Sequence, residues 1–191
     1  MEVTNREYAL ELDAADPLAN FRSKFVIDDP DQCYLDGNSL GRLPKETIQT
    51  INNFLLDEWG KEVVAGWAHW VDEAQTVGDL LGRAALGAAV GQVLVCDTTS
   101  INFYQLALAA IQARPGRKTI LIDGANFPTD RYILQGIARQ FGLNLVTIDN
   151  EPGEAKHERI TPEILSKYLN DDVALVTLEV IQYRSGARNP I

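Results

Sequence analysis

Three hydroxyl residues follow a short apolar run in the middle of the chain. Residues 93–95 (Val-Leu-Val) are typical of a buried strand, and Thr98, Thr99 and Ser100 stand before a helix predicted over 101–111. Ser100 is the predicted N-cap of this helix. Backbone N–H groups and hydroxyls at the positive end of a helix can bind phosphate. Hydroxyls also cap helices that bind nothing, so this motif alone leaves both a plain cap and a phosphate site open.

A later loop offers a flat aromatic side chain and a carboxylate. Phe127 is followed by Pro128, Thr129 and Asp130. The Phe127 ring can lie against an aromatic ligand, and Asp130 would place a carboxylate near it. A phosphate site, a stacking face and an acid together favour a phosphorylated heteroaromatic cofactor, of which pyridoxal 5'-phosphate is the obvious one. A nucleotide is also flat and phosphorylated, but the chain contains neither the Gly-x-Gly-x-x-Gly nor the P-loop pattern.

These two motifs belong to a regular alternation of strands and helices. Strands are predicted at 93–95, 119–123, 144–148 and 173–178, with helices at 101–111, 131–141 and 161–169 between them. This alternation predicts an α/β fold with right-handed crossovers and a mainly parallel sheet that carries helices on both faces. Ligands of such sheets bind beyond the carboxyl ends of the strands. The loops expected there are 97–100, 124–130 and 179–186.

The first half of the chain has helical patterns without predicted strands between them. A helical pattern over residues 5–24 is broken at 13–17, which predicts an N-terminal helical arm, and further helices are predicted at 44–60 and 71–86. Trp67, His69 and Trp70 lie close together in sequence. They form either a packed aromatic cluster or an aromatic wall for a flat substrate, with His69 as a polar handle.

Composition narrows the class of protein. The chain has 191 residues, 46% of them hydrophobic, and 17 basic against 27 acidic side chains give a net charge of −10. An acidic chain without a basic run argues against nucleic-acid binding. No segment has the length of a membrane span or the pattern of a signal peptide. The two cysteines and two histidines lack metal-ligand spacing, so we expect a metal-free cytoplasmic protein.

Four segments together resemble the kynureninases: Leu35 to Pro44, Thr98 to Asn102, Asn126 to Asp130, and Tyr183 to Gly186. They occur in the order of that family and span most of the chain. The resemblance implies a pyridoxal-phosphate enzyme of fold type I that hydrolyses L-kynurenine, 3-hydroxykynurenine or both to anthranilate and L-alanine in tryptophan degradation toward NAD. It also implies a homodimer with active sites between subunits.

Site residues follow from the resemblance by position. Thr99 and Ser100 would hold the cofactor phosphate, and Phe127 would stack on the pyridine ring. Pro128, Thr129 and Asp130 would complete that side of the pocket. Trp67, Asn38 and Ser39 would lie near the substrate. In domain terms, residues 1–43 would form an arm and the segment leading into the fold, and residues 44–191 the first part of an incomplete cofactor-binding large domain.

The chain departs from the family in two ways. Glu179 stands where the family usually has a small hydroxyl residue. A carboxylate close to the phenolate or phosphate of the cofactor would be unfavourable because like charges repel. Either Glu179 points elsewhere, or the alignment is shifted locally, or the specificity differs. The sequence also ends before the Schiff-base lysine of the family, and none of Lys118, Lys156 and Lys167 matches its context. We therefore expect no catalytic residue within these 191 residues, and a fragment that is inactive by itself.

Two other functions stay open. Another fold-type-I enzyme, such as a cysteine desulfurase-like protein or an aminotransferase, would share the sheet and the cofactor. A non-catalytic binding domain would keep the sheet without the chemistry.

Overall fold

The computed structural model describes residues 3–148 and 159–190. Contacts divide the chain into two compact units, Met1–Val93 and Leu94–Ile191, which are described separately below. The predicted domain boundary between residues 43 and 44 stays a prediction.

The first unit is helical. Its helices are α1 (Arg6–Ala15), a 3-10 helix (Ala19–Lys24), α2 (Lys45–Asn53), a π-helical segment (Phe54–Trp59), α3 (Gly60–Glu62), a second 3-10 helix (Val63–Gly66), α4 (Trp67–Leu81) and a second π-helical segment (Gly82–Leu86). Asn5 caps α1 by accepting a hydrogen bond from the Glu7 N–H, and the helix ends at Ala15, inside the predicted break. In the described part of the chain, no helix combines the length and apolarity needed to cross a membrane.

Helix α4 begins at Trp67, four residues earlier than the predicted start at 71, so Trp67, His69 and Trp70 are helical. Gly66, just before the helix, allows the Trp70 indole to pack close to the backbone. A Cβ atom on Gly66 would lie 2.2 Å from Cζ2 of Trp70, so the indole packs over a position that only glycine fits.

The second unit is an α/β fold. Its elements are α5 (Thr99–Gln112), β1 (Thr119–Asp123), α6 (Pro128–Phe141), β2 (Asn144–Ile148), α7 (Pro162–Ser166) and β3 (Val173–Thr177). The three strands lie in the order β2-β1-β3, and β1 pairs in parallel with both neighbours. The predicted parallel sheet is confirmed at strands 119–123 and 144–148 and, one residue shorter, at 173–177.

Helices cover both faces of this sheet. Ile120 and Ile122 of β1 pack in one core cluster with residues of α5 and α6: Ala107, Ile111, Leu134, Ile137 and Ala138. Leu121 points to the opposite face, because side chains alternate along a strand. There it joins a second cluster formed by Ile148, Ile160 and Val173, to which α7 adds Ile164 and Leu165. The apolar run of β1 is thus explained by burial on both sides.

The predicted strand at 93–95 is wrong, and so is the predicted cap. Residues 93–96 form no strand, and Leu94 and Val95 are 57% and 44% exposed. An apolar run becomes a strand only when a neighbouring strand accepts its backbone hydrogen bonds, and within the described residues none pairs with this segment. Helix α5 begins at Thr99, two residues earlier than predicted, and Thr98 rather than Ser100 is its N-cap.

Leu134→Ala is expected to lower the free energy of unfolding by about 2–5 kcal/mol, because Leu134 is fully buried between α6 and β1 and its loss leaves a cavity. Urea denaturation followed by circular dichroism measures this change. Leu106→Ala is the control: Leu106 lies on helix α5, which packs on the same face of the sheet, but its side chain is 70% exposed, so its truncation should change the free energy of unfolding by no more than about 0.5 kcal/mol. Equal losses in both variants would contradict the assigned core.

Candidate functional site

Two helix N-termini and two loops of the second unit meet the carboxyl edge of the sheet. Helix α5 returns through a short turn to the start of β1, so its N-terminus lies toward the edge where β1 ends. Helix α6 begins just after β1, and residues 178–189 follow β3 at the same edge. Ligands of open parallel sheets bind at this edge.

The N-terminus of α5 presents donors that the helix does not use. The Thr98 hydroxyl accepts a 3.3 Å hydrogen bond from the Ile101 N–H, and the first intrahelical bond runs from the Asn102 N–H to the Thr98 carbonyl oxygen. The N–H groups of Thr99 and Ser100 precede that bond, so α5 itself offers them no acceptor. Together with the two hydroxyls they form an arrangement suited to an anion.

The backbone turns sharply to enter this helix. Asp97 has φ of 49°, a left-handed conformation that aspartate tolerates better than most residues. The Asn102 side chain donates a 2.9 Å hydrogen bond to the Cys96 carbonyl oxygen and ties the first turn of α5 to the preceding segment. These two roles are not visible in the sequence pattern alone, although an Asx residue before a capped helix, as at Asp97, is a signal for such a turn.

The loop from β1 to α6 is held by Asp123. Its Oδ1 accepts a 2.9 Å hydrogen bond from the Ala125 N–H, and its carbonyl oxygen accepts one from the Asn126 N–H. Pro128 then starts α6 with the fixed φ that a first helical turn favours. Phe127, the residue before this proline, remains 48% exposed and therefore has surface for a flat ligand.

Glu179 points into this loop. Its Oε1 accepts a 2.8 Å hydrogen bond from the Phe127 N–H. The ring of Tyr183 meets the Phe127 ring edge-on, with centroids 5.1 Å apart and planes at 68°. The carboxylate of Glu179 therefore reaches the loop that carries the predicted stacking residue, and the three alternatives raised from the sequence for this position stay open.

Buried polar side chains fix the segment after β3. Asn189 is 1% exposed; its Oδ1 accepts from the Ile160 N–H at 2.9 Å, and its Nδ2 donates to the Glu179 carbonyl oxygen at 2.6 Å. The equally buried Gln182 donates through Nε2 to Oδ2 of Asp123. Gln182 and Asn189 were missed, because nothing in the local sequence separates a buried amide in a loop from an exposed one.

Three carboxyl groups share this edge, and each has a raised pKa. Burial is the main cause of the raised pKa of Asp123, Asp130 and Glu179. For Glu179 the neighbouring charges of Asp123 and Asp130 raise the pKa further, while the peptide N–H groups of Phe127 and Tyr183 act against the rise. The folded chain binds the protons of these carboxyl groups more tightly than the unfolded chain does. The contribution of the three groups to the free energy of unfolding therefore falls as the pH rises from their ordinary pKa values, 3.8 for Asp and 4.5 for Glu, through their raised pKa values in the folded chain.

The predicted substrate residues lie in the first unit. Asn38 and Ser39 occupy an exposed turn in which the Ser39 hydroxyl donates a 2.8 Å hydrogen bond to Oδ1 of Asp36. Trp67 is 62% exposed at the start of α4. Because these residues and those of the sheet edge belong to different units, their assignment to one site stays a prediction.

Of the residues Trp67, His69 and Trp70, some are packed against neighbours, as in an aromatic cluster, and one is exposed, as in an aromatic wall for a ligand. Trp70 is packed: its ring lies 5.3 Å from that of Phe54, and its Nε1 donates to Glu58 at 2.9 Å. His69 bonds Glu62 at 2.9 Å, and this hydrogen bond is the main cause of its raised pKa. Trp67, the exposed member, has surface for a flat ligand.

The chain is similar in sequence to bacterial kynureninases. The chain is 38% identical over 183 residues to the kynureninase of Deinococcus radiodurans, which covers 93% of this chain and 42% of that protein. It is 35% identical over 192 residues to the kynureninase of Pseudomonas fluorescens, covering 96% of this chain and 43% of that protein. The resemblance to kynureninases is confirmed. The chain spans less than half the length of the kynureninases it matches.

The fold has a parallel among solved structures. A mutant of C-DES with glycine covalently linked to its PLP cofactor superposes with a TM-score of 0.65 at 17% identity, over 92% of this chain and 43% of that one. The predicted fold, that of fold-type-I enzymes, is thereby confirmed. No family model matches the chain.

Asn189→Ala is expected to lower the free energy of unfolding by about 1–3 kcal/mol, because it leaves the Ile160 N–H and the Glu179 carbonyl oxygen without a partner. Urea denaturation measures the loss. The exposed Gln135 of α6 provides the control, and Gln135→Ala should change stability by no more than about 0.5 kcal/mol. An unchanged stability in Asn189→Ala would argue against the bridging role.

Proposed function

We propose that this chain forms the phosphate-binding and ring-stacking part of a pyridoxal-phosphate enzyme that hydrolyses L-kynurenine, 3-hydroxykynurenine or both to anthranilate and L-alanine. The observation that carries the proposal is the pairing of two features at one sheet edge. The N-terminus of α5 presents unused donors, and the Phe127 loop presents an exposed ring. The similarity to kynureninases over more than nine-tenths of the chain supports this choice of reaction.

The residues at the edge fit the proposed cofactor. A phosphate dianion would accept hydrogen bonds from the N–H groups and hydroxyls of Thr99 and Ser100 and would gain from the α5 dipole. The Phe127 ring would stack on the pyridine ring, a contact worth about 0.5–1.5 kcal/mol beyond area burial. Asp130 lies in the first turn of α6. It would stand beside this ring, and Pro128 and Thr129 would complete that side of the pocket.

The roles of the protein groups follow from this arrangement. Bound pyridoxal phosphate would supply the electron sink that breaking a carbon–carbon bond of the amino acid requires. Thr99 and Ser100 would anchor one end of it, and Phe127 would fix the plane of its ring. Asp130, whose pKa is raised by burial, would hold a carboxyl group beside that ring.

Other parts of the enzyme are proposed on the resemblance alone. Trp67, Asn38 and Ser39 would contact the kynurenine-like substrate, and the active enzyme would be a cytoplasmic homodimer. The Schiff-base lysine is expected beyond Ile191, so the 191 residues would bind cofactor without forming the covalent link.

Pyridoxal phosphate added to the 191-residue chain is expected to bind reversibly without absorbance from a specific lysine adduct and without turnover of kynurenine, 3-hydroxykynurenine or cysteine. Absorption spectra, borohydride reduction followed by peptide mapping, and product assays check this expectation. One lysine modified stoichiometrically by borohydride, together with kynurenine turnover, would show that the chain contains its own nucleophile. Turnover of cysteine instead would favour a desulfurase-like enzyme.

Ser100→Ala is expected to weaken binding of pyridoxal phosphate about 10- to 150-fold, because a hydrogen bond to a charged group contributes about 1.5–3 kcal/mol. Binding of pyridoxal, which has no phosphate, should not change. Equilibrium dialysis of both ligands measures the difference. Ser166→Ala in α7 is the matched control, since its hydroxyl bonds the Glu163 carbonyl oxygen within that helix. An equal loss for both ligands would contradict a phosphate role for Ser100.

A further inference from the structure

Glu179 is one of the two points at which this chain departs from the family it resembles, and its side chain connects two loops of the sheet edge. The bond from the Phe127 N–H to Oε1 of Glu179 joins residues 52 apart in sequence and connects the segment after β3 to the loop after β1. It therefore links two strand ends of the sheet edge through one carboxylate.

The Phe127 N–H needs such an acceptor. Phe127 is the N-cap of α6, so its own N–H lies before the helix and no carbonyl oxygen of the helix accepts it. A carboxylate that accepts the N–H at this point also lies at the positive end of the α6 dipole, where negative charge is favoured. Glu179 therefore satisfies a donor at the entrance to α6 and does so with the favoured charge.

Glu179 is itself held in place. Its carbonyl oxygen accepts from Nδ2 of Asn189, and Tyr183, four residues later, contacts the Phe127 ring. One short segment thus holds Phe127 at two points, the peptide N–H and the ring edge. The hydrogen bond sets the position of the Phe127 peptide, and the Tyr183 contact lies at the edge of the Phe127 ring.

We propose that Glu179 is a positioning residue that fixes the Phe127 ring for stacking. The proposal rests on the proposed function for its consequence, the binding of a flat cofactor ring. The contact between Glu179 and Phe127 stands independently of it.

The charged groups around Glu179 define how the contact responds to pH. Asp123 faces it from the end of β1 and Asp130 from the first turn of α6. Tyr183, whose hydroxyl accepts from Nε of Arg184, faces the loop from the segment after β3. Oε2 of Glu179 is buried without a hydrogen-bond partner in the described part of the chain, so the proton would be taken up on a carboxyl group surrounded by other acids. Protonation weakens the acceptor for the Phe127 N–H, since charged acceptors form the stronger bonds.

The first test follows the Phe127 amide in ¹H–¹⁵N spectra of the 191-residue chain between pH 4 and 8. The amide shift should titrate with a midpoint above the ordinary glutamate value of 4.5. In Glu179→Gln this titration should disappear, and in Glu179→Ala the Phe127 amide should exchange with solvent at least tenfold faster. Asp130→Asn separates the influence of Asp130, and Glu163→Gln, at an exposed glutamate of α7, is the control. An unchanged Phe127 amide in Glu179→Ala would overturn the proposal.

The second test measures ligand binding. Glu179→Ala should weaken pyridoxal phosphate and pyridoxal by the same factor, about five- to tenfold, because it disturbs the ring contact and not the phosphate contact. Glu179→Gln keeps an acceptor and should stay within about twofold of the unchanged chain. If the unchanged chain binds neither ligand, the proposed function fails while the amide test still decides the role of Glu179. If it binds both and Glu179→Ala binds equally well, the positioning role fails alone.

Discussion

The second unit depends on the burial of strand β1 on both faces. Ile120, Leu121 and Ile122 are at most 1% exposed, and each neighbour of β1 pairs with it in parallel. The last residue of β1 is still buried, so a polar side chain at this position needs hydrogen-bond partners within the fold. Asp123 is that residue, and its hydrogen bonds shape the loop that presents Phe127. The position of the candidate site therefore depends on the burial of β1 in the core.

Much of this fold could be predicted because its signals are local. The apolar runs at 119–123 and 144–148 are bounded by turn residues, and both are strands with the predicted ends. The run at 93–95 has the same composition but is not a strand, because pairing depends on partners distant in sequence. A cap can likewise be assigned to the wrong hydroxyl when three stand in a row, as at Thr98, where only the backbone conformation decides.

The candidate site divides in the same way. Thr99 and Ser100 could be selected because hydroxyl residues at a helix start suggest an anion site, and Phe127 because an aromatic residue after strand β1 suggests a stacking face. The partners that hold the loop could not be selected. Gln182 and Asn189 act through contacts with residues 59 and 29 positions away, and amides in a loop carry no sign of burial. The sequence identified Glu179 as unusual, but only the structure shows that it reaches the Phe127 peptide.

The long-range pairing of β1 with β3 has a consequence for how the chain folds. Lys118 and Thr119 bond to the Asp172 carbonyl oxygen, so this side of the sheet closes a loop of more than 50 residues. Contacts of such high sequence separation form slowly, and until they form the hydrogen-bonding edge of β1 is open. During synthesis that edge can pair with another nascent chain, a risk that parallel sheets share and that chaperones limit in cells. The same topology that brings the loops together thus makes the yield of folded protein sensitive to concentration and temperature.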